Sequence, residues 1–496
     1  MTCAPSSFAT PLPAAPHAAR RRLRAALTLA GQLALVCAAY AAERTTAAPG
    51  VPGQAAAEPA LLRWDTTLTR PAPREGVLTG WPELLTRAQQ AAGNRAADAA
   101  TLAAQALSDQ ARATAWMPRV DAAASALRTR QTVNDVNVST PTRAASLTAT
   151  VPLWRAADRA SARAQAEQAE QAQWQARITR SSVAQDLSLA YLNAVEAAEQ
   201  RRLTQAQQSL LEEQQRINDR RLQAGAGTVL DLLETRTRVD QSRASVQDLS
   251  TRLASQRLVV ERLAGQGALM PTGLRPGDAA LPEAVPSLAE ALAMAANRNP
   301  QRQESDAQAR AATEIARARQ AERWQPTVDA VATLEHNRQV QQFNGLSDEQ
   351  TTSSRTVGLQ LNWPLFTGGQ QDGRVREAAA LLTQAQARQD EAQAQVEASL
   401  RDAYQTLAQA HAVIAVQQEV EHSASATFEA VRKAFVAGMR TNLDLLNAQQ
   451  QIYTARQSLV TARISGLAAQ VNILALLDQL DAAHVAPFVP LMDDAP

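Results

Sequence analysis

The chain contains four segments in which apolar and polar residues alternate, the pattern that predicts β-strands with one apolar and one polar face. The first pair covers residues 120–126 and 147–153. The second pair is clearer, and its apolar positions are Val328, Ala330, Ala332 and Leu334 in one strand and Val357, Leu359, Leu361 and Trp363 in the other. Polar loops are expected near residues 134–142 and 341–352, the latter with the turn signal Asn-Gly at 344–345.

Each pair of strands is followed by a long run that predicts an antiparallel helical hairpin. Residues 153–224 contain neither glycine nor proline and would extend about 108 Å as one helix. The run stops at Gly225 and Gly227, and a second helical run, 228–264, turns back. The later half repeats this plan: residues 374–437 are followed by a break at Gly438 and a further helical run toward Leu480. The three glycines are therefore the predicted tip turns.

The two halves are copies of one unit. Trp116-Met117-Pro118 recurs as Trp324-Gln325-Pro326, and Asp-Leu-Leu at 231–233 recurs at 444–446, at an interval of about 210 residues. We therefore predict a first repeat at 81–264, a Pro/Gly-rich linker at 265–286 and a second repeat at 287–480. In each repeat one helix precedes the strands; it covers roughly 82–115 in the first, and a capping box opens it at 287–290 in the second.

The flanking segments are expected to lie outside this duplicated core. Residues 1–41 resemble a secretion signal, with four arginines at positions 20–24, an apolar stretch at 25–36 and an Ala-Tyr-Ala cleavage site at 39–41. An uncleaved anchor helix is the alternative. Residues 42–80 are expected to be a peripheral lead-in, and residues 481–496 an irregular, peripheral tail.

Composition narrows the functional classes. Aromatic residues make up 3% of the chain and the net charge is +1, with arginines interspersed among acidic residues along the helices. This pattern favours ion-paired helix surfaces and narrow apolar seams over a nucleic-acid-binding stripe. The histidines and the two cysteines have no metal-ligand spacing, and no nucleophile elbow or phosphate loop is present. We therefore predict no cofactor, no metal site, no nucleic acid partner and no enzymatic activity.

The pattern of the predicted strands indicates whether this part of the chain lies in a membrane or in water. About ten residues with one apolar and one polar face suit a strand between lipid and water, although a soluble hairpin that covers a helical core would show the same alternation. The export signal, and the lack of any other sheet for these hairpins to join, favour the membrane. Because four strands cannot close a barrel, the chain must then oligomerise. Three chains would supply twelve strands and a ring of six quasi-equivalent units.

The ordered set of these features resembles the TolC family. The sequences NWPLFTGG at 362–369 and GMRTNLDLL at 438–446 match its second strand-to-helix junction and second hairpin tip. The resemblance implies a mainly α fold with a membrane β-barrel: a trimeric, twelve-stranded barrel continuous with a periplasmic α-helical cylinder. It also implies an outer-membrane channel-tunnel, a passive duct for small molecules or secreted proteins that contacts outer-membrane lipid, a periplasmic adaptor and an inner-membrane pump.

The resemblance places an aperture at the hairpin tips. Its candidate residues are Asp444 and Asn447 at the second tip and Asp231 and Glu234 at the first. Asp444 matches the first of the family's two acidic positions, and Asn447 stands at the second, which puts a double carboxylate ring in doubt. Helix capping by Thr228 and Thr441 is the alternative role of the two aspartates.

The first strand-to-helix turn differs from the second, and a second class of protein shares the helical hairpin. Residues 153–157 read LWRAA, so the first strand-to-helix turn must form without the glycines of the second. A periplasmic coiled-coil adaptor or scaffold would share the helical hairpin. It would, however, need compact β domains that flank one hairpin, and the sequence shows no such domains.

Overall fold

The computed structural model describes residues 80–133, 136–225, 227–265, 273–275, 281–282, 284–343 and 346–493. The predicted export signal at 1–41 lies outside these residues, as does the lead-in at 42–80 apart from Gly80. The chain divides into two compact units. One contains most of the strand residues, 118–151 and 330–360, and the other contains the helices.

The described residues form helices and strands in the order that the sequence predicts. The helices are α1 (Trp81–Ala88), α2 (Ala92–Trp116), α3 (Ala156–Gln223), α4 (Val229–Ala264), α5 (Leu288–Arg298), α6 (Pro300–Trp324), α7 (Gln370–Val436), α8 (Asn442–Leu476) and α9 (Ala482–Val485), followed by a 3-10 helix (Ala486–Leu491). The strands are β1 (Arg119–Val133), β2 (Val136–Trp154), β3 (Gly273–Leu274), β4 (Thr327–Phe343), β5 (Leu346–Asn362) and β6 (Met492–Asp493).

The two predicted helical hairpins are confirmed. Helix α3 has 68 residues and α7 has 67, so each extends about 100 Å. Two residues after the end of each helix lies a glycine with positive φ, Gly225 at 74° and Gly438 at 75°, beyond which α4 or α8 packs back along the helix. Glycine is the residue that enters this region without a Cβ clash, so the sequence sets the length of both hairpins.

The helix that precedes each strand pair is broken in two, which corrects the prediction of one continuous helix. In the first repeat, the Asn94 side chain donates to the Ala88 carbonyl at 2.8 Å and closes the end of α1. In the second, Pro300 begins α6 and the Asn299 side chain accepts from the Arg302 backbone N–H at 3.1 Å. Proline lacks the N–H that would continue α5 and is favoured at a helix start.

Small residues form the seams of the helical unit. Helix α3 packs against α2, α4, α6 and α8. Its buried residues near the strand end are alanines, and so are many of those that α6 buries. Alanine lets helix backbones approach closely, so these seams are narrow and hold few large side chains.

The largest side chains of the core surround Trp81. Its ring stacks on Tyr191 and Phe488 with centroids 5.2 and 5.7 Å apart, and its indole N–H donates to Ser188 at 3.2 Å. Phe488 and Met492 are buried, and Met492 in β6 pairs with Leu274 in β3. The prediction of an irregular, peripheral tail after residue 480 is therefore wrong, because Phe488 and Met492 of this tail are buried in the core around Trp81.

The strand unit is a four-stranded sheet in the order β1-β2-β4-β5. Strands β1 and β2 pair antiparallel from Arg119↔Thr150 to Val133↔Val136. The polar segments predicted as loops are mostly strand, because their threonines, valines and asparagines pair with the opposite strand. Residues 134–135 and 344–345 lie outside the described residues, and the predicted Asn-Gly turn falls on the second of these pairs.

Among the described helices, α8 alone is long and apolar enough to cross a membrane by length and composition. More than half of its apolar stretch, 56%, is buried inside the protein. Its buried side chains face α3 and α7, which is the environment of a core helix.

Candidate functional site

The second hairpin tip is a complete capping box. The Asp444 backbone N–H donates to the Thr441 hydroxyl at 3.2 Å, and the Thr441 N–H donates to the Asp444 carboxylate at 3.0 Å. The Thr441 hydroxyl also donates to that carboxylate at 3.0 Å, and Arg440 lies 4.0 Å from it. Donation by the Thr441 backbone, then by its hydroxyl, lowers the pKa of Asp444, with a smaller effect of Arg440. Asp444 thus carries a fixed negative charge at the tip at neutral pH.

The first tip repeats the arrangement. Thr228 accepts from the Asp231 backbone N–H at 3.1 Å, and its hydroxyl donates to the Asp231 carboxylate at 2.7 Å. Gly225 has a φ of 74°, and a Cβ at Gly227 would lie 3.0 Å from the Leu222 backbone nitrogen. The tip sequence is therefore fixed by a left-handed turn, a close backbone approach and a cap.

At the position where the resemblance predicts a second acidic residue, the chain has an amide that contacts the other hairpin. The Asn447 side-chain oxygen accepts from Arg238 of α4 at 3.1 Å, and Asn447 is exposed. Its first-repeat counterpart Glu234 is half-buried on α4. The structure thus places Asp444 and Asn447 one turn apart on α8, with a positive charge from α4 beside the amide.

A buried polar cluster joins the two tips, and the sequence reasoning missed it. Asn218 donates to the Thr235 hydroxyl at 2.9 Å and to the Asn442 side-chain oxygen at 3.1 Å. All three side chains are buried, and Gln214 also donates to Asn442 at 3.3 Å. One signal was available: the first-repeat counterpart of Asn442 is Val229, so the repeat changes from apolar to polar at this helix start.

The tips also carry exposed apolar side chains, which we call the tip apolar residues. They are Val229, Leu230, Leu233, Val436, Met439 and Leu443. Soluble surfaces seldom group large apolar side chains in this way, so a group at one end of two hairpins favours a docking surface.

Most of the strand residues selected from the alternation lie in β4 and β5. Val328 and Leu334 lie in β4, and Val357, Leu359 and Leu361 are exposed in β5. Trp363 follows the last residue of β5, which corrects its assignment to the strand.

A tryptophan also marks each junction between strand and helix, and the sequence reasoning used these residues only as markers of the repeat or of the strand alternation. The four are Trp116, Trp154, Trp324 and Trp363, and all are exposed. The Arg159 guanidinium lies 4.0 Å from the Trp116 ring, and that of Arg323 lies 4.3 Å from the Trp324 ring. Exposed tryptophans at strand ends are typical of the membrane–water interface.

Among the residues that the structure describes, no group of three or more His, Cys, Asp or Glu side chains is arranged to hold a metal ion. The candidate site therefore consists of backbone turns, fixed charges and exposed apolar side chains.

Comparison with known proteins agrees with this geometry. The family model described as Outer membrane efflux protein matches residues 89–266 and 291–479, one segment for each repeat. The fold is similar to that of the Campylobacter jejuni CmeC outer membrane channel, with a TM-score of 0.69 and 14% identity, over 90% of this chain and 96% of that one.

Two curated relatives are similar in sequence. The chain is 31% identical over 271 residues to the proteases secretion protein PrtF of Dickeya chrysanthemi, covering 52% of this chain and 56% of PrtF. It is 28% identical over 271 residues to the alkaline protease secretion protein AprF of Pseudomonas aeruginosa, covering 53% and 55%. The chain thus spans about half the length of the curated relatives it matches.

The family match excludes the alternative of a coiled-coil adaptor and confirms the prediction that the chain is not an enzyme. It also confirms the predicted resemblance and location. The chain belongs to the outer membrane efflux protein family, whose place is the outer membrane.

Proposed function

We propose that three copies of the chain form an outer-membrane channel whose wall is a twelve-stranded barrel. The observation that carries the proposal is the open sheet: β1 and β5 are its two edges, and each has one neighbour. Unpaired backbone groups are not tolerated in lipid, so an edge must pair with another chain. Pairing of β5 with β1 of the next copy closes the ring and leaves no edge.

The helical unit supplies the periplasmic part of the duct. Two long hairpins per chain give six in the trimer, and their exposed surfaces are rich in Gln, Ser, Thr and paired charges. A wall of this kind presents polar groups to a water-filled passage. The chain itself supplies no energy, so transport depends on a partner.

The hairpin tips form the periplasmic aperture in this proposal. Three copies of Asp444 around a threefold axis place like charges near the passage and favour cations. The capping role of Asp444 is compatible with this, because the cap fixes the carboxylate at the helix start. Asp231 and Glu234 lie at the corresponding position of the first tip, and Asn447 contributes an amide.

The partner at this end is a periplasmic adaptor that connects the channel to an inner-membrane pump. The tip apolar residues support this assignment, since exposed apolar groups at helix ends suit the end of another helical hairpin. Burial of such side chains contributes roughly 25 cal/mol per Å² of apolar surface removed from water.

The substrate favoured by the comparisons is a secreted protein. The two relatives aligned over 271 residues are named for the secretion of proteases. Efflux is the second candidate function, because 100 residues of the chain are 29% identical to a protein named for it, the outer membrane efflux protein BepC of Brucella suis; the substrate would then be a small molecule.

The proposal is tested on the purified protein from outer-membrane fractions. We expect a detergent-resistant trimer that dissociates on heating and forms ion-conducting channels in planar bilayers. A stable water-soluble monomer, with Val357 and Leu361 covered by its own helices, would contradict it. The substrate is tested separately: co-expression with a protease-specific adaptor and pump should release the protease into the medium.

A further inference from the structure

Three arginines lie on the apolar face of the first strand hairpin, near its turn. Arg128 and Arg130 belong to β1 and Arg143 to β2, and all three side chains are exposed. We call them the outer-end basic cluster. None has a carboxylate within ion-pair distance among the residues that the structure describes.

The register fixes the face on which the cluster lies. In β1 the residues at positions 120, 122, 124 and 126 are apolar and lie opposite Ala149, Leu147, Ala145 and Arg143 of β2. Arg128 and Arg130 continue the same alternation and lie opposite Pro141 and Ser139. Residues directly opposite one another share a face of the sheet, so the three arginines extend from the apolar face.

The opposite face of this hairpin carries Asp121, Ser125, Thr140 and Thr148 and is the polar one. In the proposed barrel it faces the passage. The cluster therefore points outward, toward lipid, and this placement rests on the proposed function.

The distance along the strand places the cluster toward one end of the apolar band. Eight residues separate Val120 from Arg128, about 27 Å along the strand and about 21 Å across a membrane at a strand tilt of about 40°. The apolar band of such barrels is about 25 Å tall. On the same scale Arg143, which lies opposite position 126, is about 16 Å from Val120 across the membrane and Arg130 is about 26 Å from it. The three arginines thus extend from the outer part of the band to its end, and their long side chains can reach the lipid headgroups of the outer leaflet.

The second hairpin carries the same two arginines at the repeat interval. Arg338 and Arg355 correspond to Arg130 and Arg143. A contact of 2.9 Å between His336 Nδ1 and Ser353 Oγ places alternate positions of β4 and β5 on one face, and Arg338 and Arg355 belong to that set. Here Glu349 pairs with Arg338 at 2.6 Å, so the cluster on the first hairpin holds more net charge.

We propose that the outer-end basic cluster binds the phosphate groups of the phosphorylated glycolipid in the outer leaflet. A guanidinium presents two parallel N–H donors that match a phosphate, and it stays charged at any physiological pH. Arg128 and Arg143 are diagonal neighbours about 7–8 Å apart at the strand backbones, which lets two guanidinium groups reach one phosphate. Arg130 lies on the same strand two residues further and can reach a second phosphate.

The test measures binding of bisphosphorylated lipid A to the trimer in neutral detergent. The variant carries Arg128→Gln, Arg130→Gln and Arg143→Gln. The control carries Arg95→Gln, Arg252→Gln and Arg262→Gln, three exposed helical arginines, and loses the same charge. We expect the variant to lose affinity by about tenfold or more, because charge-assisted hydrogen bonds to phosphate are lost, and the control to keep the wild-type affinity. Equal affinity in variant and control would overturn the proposal.

Two further arms identify the source of the phosphate. Monophosphorylated lipid A should bind more weakly than the bisphosphorylated form, and millimolar inorganic phosphate should not displace it. Phosphatidylglycerol that binds as tightly as bisphosphorylated lipid A would overturn the glycolipid assignment.

A measurement on the unmodified sequence does not depend on how the variant folds. Phenylglyoxal should label Arg128, Arg130 and Arg143 in neutral detergent, and bisphosphorylated lipid A should protect them while labelling of Arg252 and Arg262 continues. Uniform labelling with and without the lipid would count against the cluster. If the trimer conducts ions and the lipid does not protect the cluster, the lipid-binding inference is rejected and the proposed channel function is kept. If no trimer forms, the proposed channel function is rejected, and the lipid-binding inference that rests on it is rejected with it.

Discussion

Arg155 and Asp329 form a two-hydrogen-bond ion pair that joins the two repeats. The guanidinium Nε and one Nη lie 2.7 and 2.8 Å from the two carboxylate oxygens. The side chains are 26% and 16% exposed, and the hydrogen bond to Asp329 raises the pKa of Arg155 above its usual value. Arg155 stands in the strand-to-helix turn that lacks glycine. Where the second repeat uses Gly368 and Gly369 with positive φ, the first uses a side-chain pair.

We predict that Arg155→Ala destabilises the protein by about 1–3 kcal/mol, because it leaves the Asp329 carboxylate half-buried without its donor. The matched control is Arg119→Ala. Arg119 pairs with Asp121, the first-repeat counterpart of Asp329, but its side chain is 78% exposed, so the change should stay below about 1 kcal/mol. Scanning calorimetry of the trimer in detergent measures both. Equal midpoints for the two variants would refute the role of the pair.

Asp444→Asn should weaken cation preference and divalent block in planar-bilayer recordings. The reason is that the proposed ring loses three negative charges at once while each helix keeps an oxygen near its N-terminus. Asp231→Asn, the same change at the other tip, is the comparison and should have the smaller effect. Unchanged selectivity in Asp444→Asn would reject the ring and leave the capping role.

In Thr441→Ala, the cation selectivity that we attribute to Asp444 should be lost at a higher pH than in the wild type. Thr441 lowers the pKa of Asp444 through its backbone N–H and its hydroxyl; the substitution removes the hydroxyl, so the pKa should rise toward its ordinary value. A carboxylate with a lowered pKa stabilises the folded tip above the unfolded pKa, and this contribution is lost as the pH falls through the folded pKa. Recordings of cation selectivity between neutral and acid pH should show the loss beginning at a higher pH in the variant.

Gly438→Ala should destabilise the second hairpin by about 1–2 kcal/mol, because its φ of 75° is costly for any residue with a Cβ. Gly373→Ala is the control. Gly373 lies inside α7 with open space around a built Cβ, so alanine there should stabilise by roughly 1 kcal/mol. Thermal midpoints that move in the same direction would contradict this account.

Phe488→Ala should cost about 3–5 kcal/mol, the usual range for a fully buried aromatic side chain. Phe366→Ala changes the same residue type at a position that is 91% exposed and should leave the midpoint nearly unchanged. The comparison uses the thermal midpoint of the whole protein. A midpoint for Phe488→Ala within a degree of wild type would show that the tail does not complete the core.

The sequence was sufficient to predict the two repeats and the order of their strands and helices, because each of these elements is marked by residues within it or next to it. Alternation defined the strands, the absence of Gly and Pro defined the long helices, and Gly225 and Gly438 marked the turns. The breaks before α2 and α6 were missed, although Pro300 at the start of α6 was visible in the sequence. The strands extend beyond the apolar alternation because polar residues such as Thr140 pair in the ladder as well.

The features that escaped prediction depend on contacts between distant residues. Phe488 stacks on Trp81, and nothing in the composition of the tail indicates that partner. Asn442 meets Asn218 across two hairpins, and only the change from Val229 in the repeat hinted at a polar role. The aperture residues were chosen by resemblance, and their positions within an assembled ring stay a prediction.

The Trp81–Phe488 stack also bears on the order of folding. The two rings are separated by about 400 residues, so this contact closes one of the longest loops available to the chain, and such contacts form slowly. The residues of both helical hairpins precede Phe488 in the chain, so the hairpins can form before this side chain is available to complete the core around Trp81. We expect the secreted chain to stay protease-sensitive until the residues around 488 have crossed the inner membrane, with assembly into the outer membrane following that step.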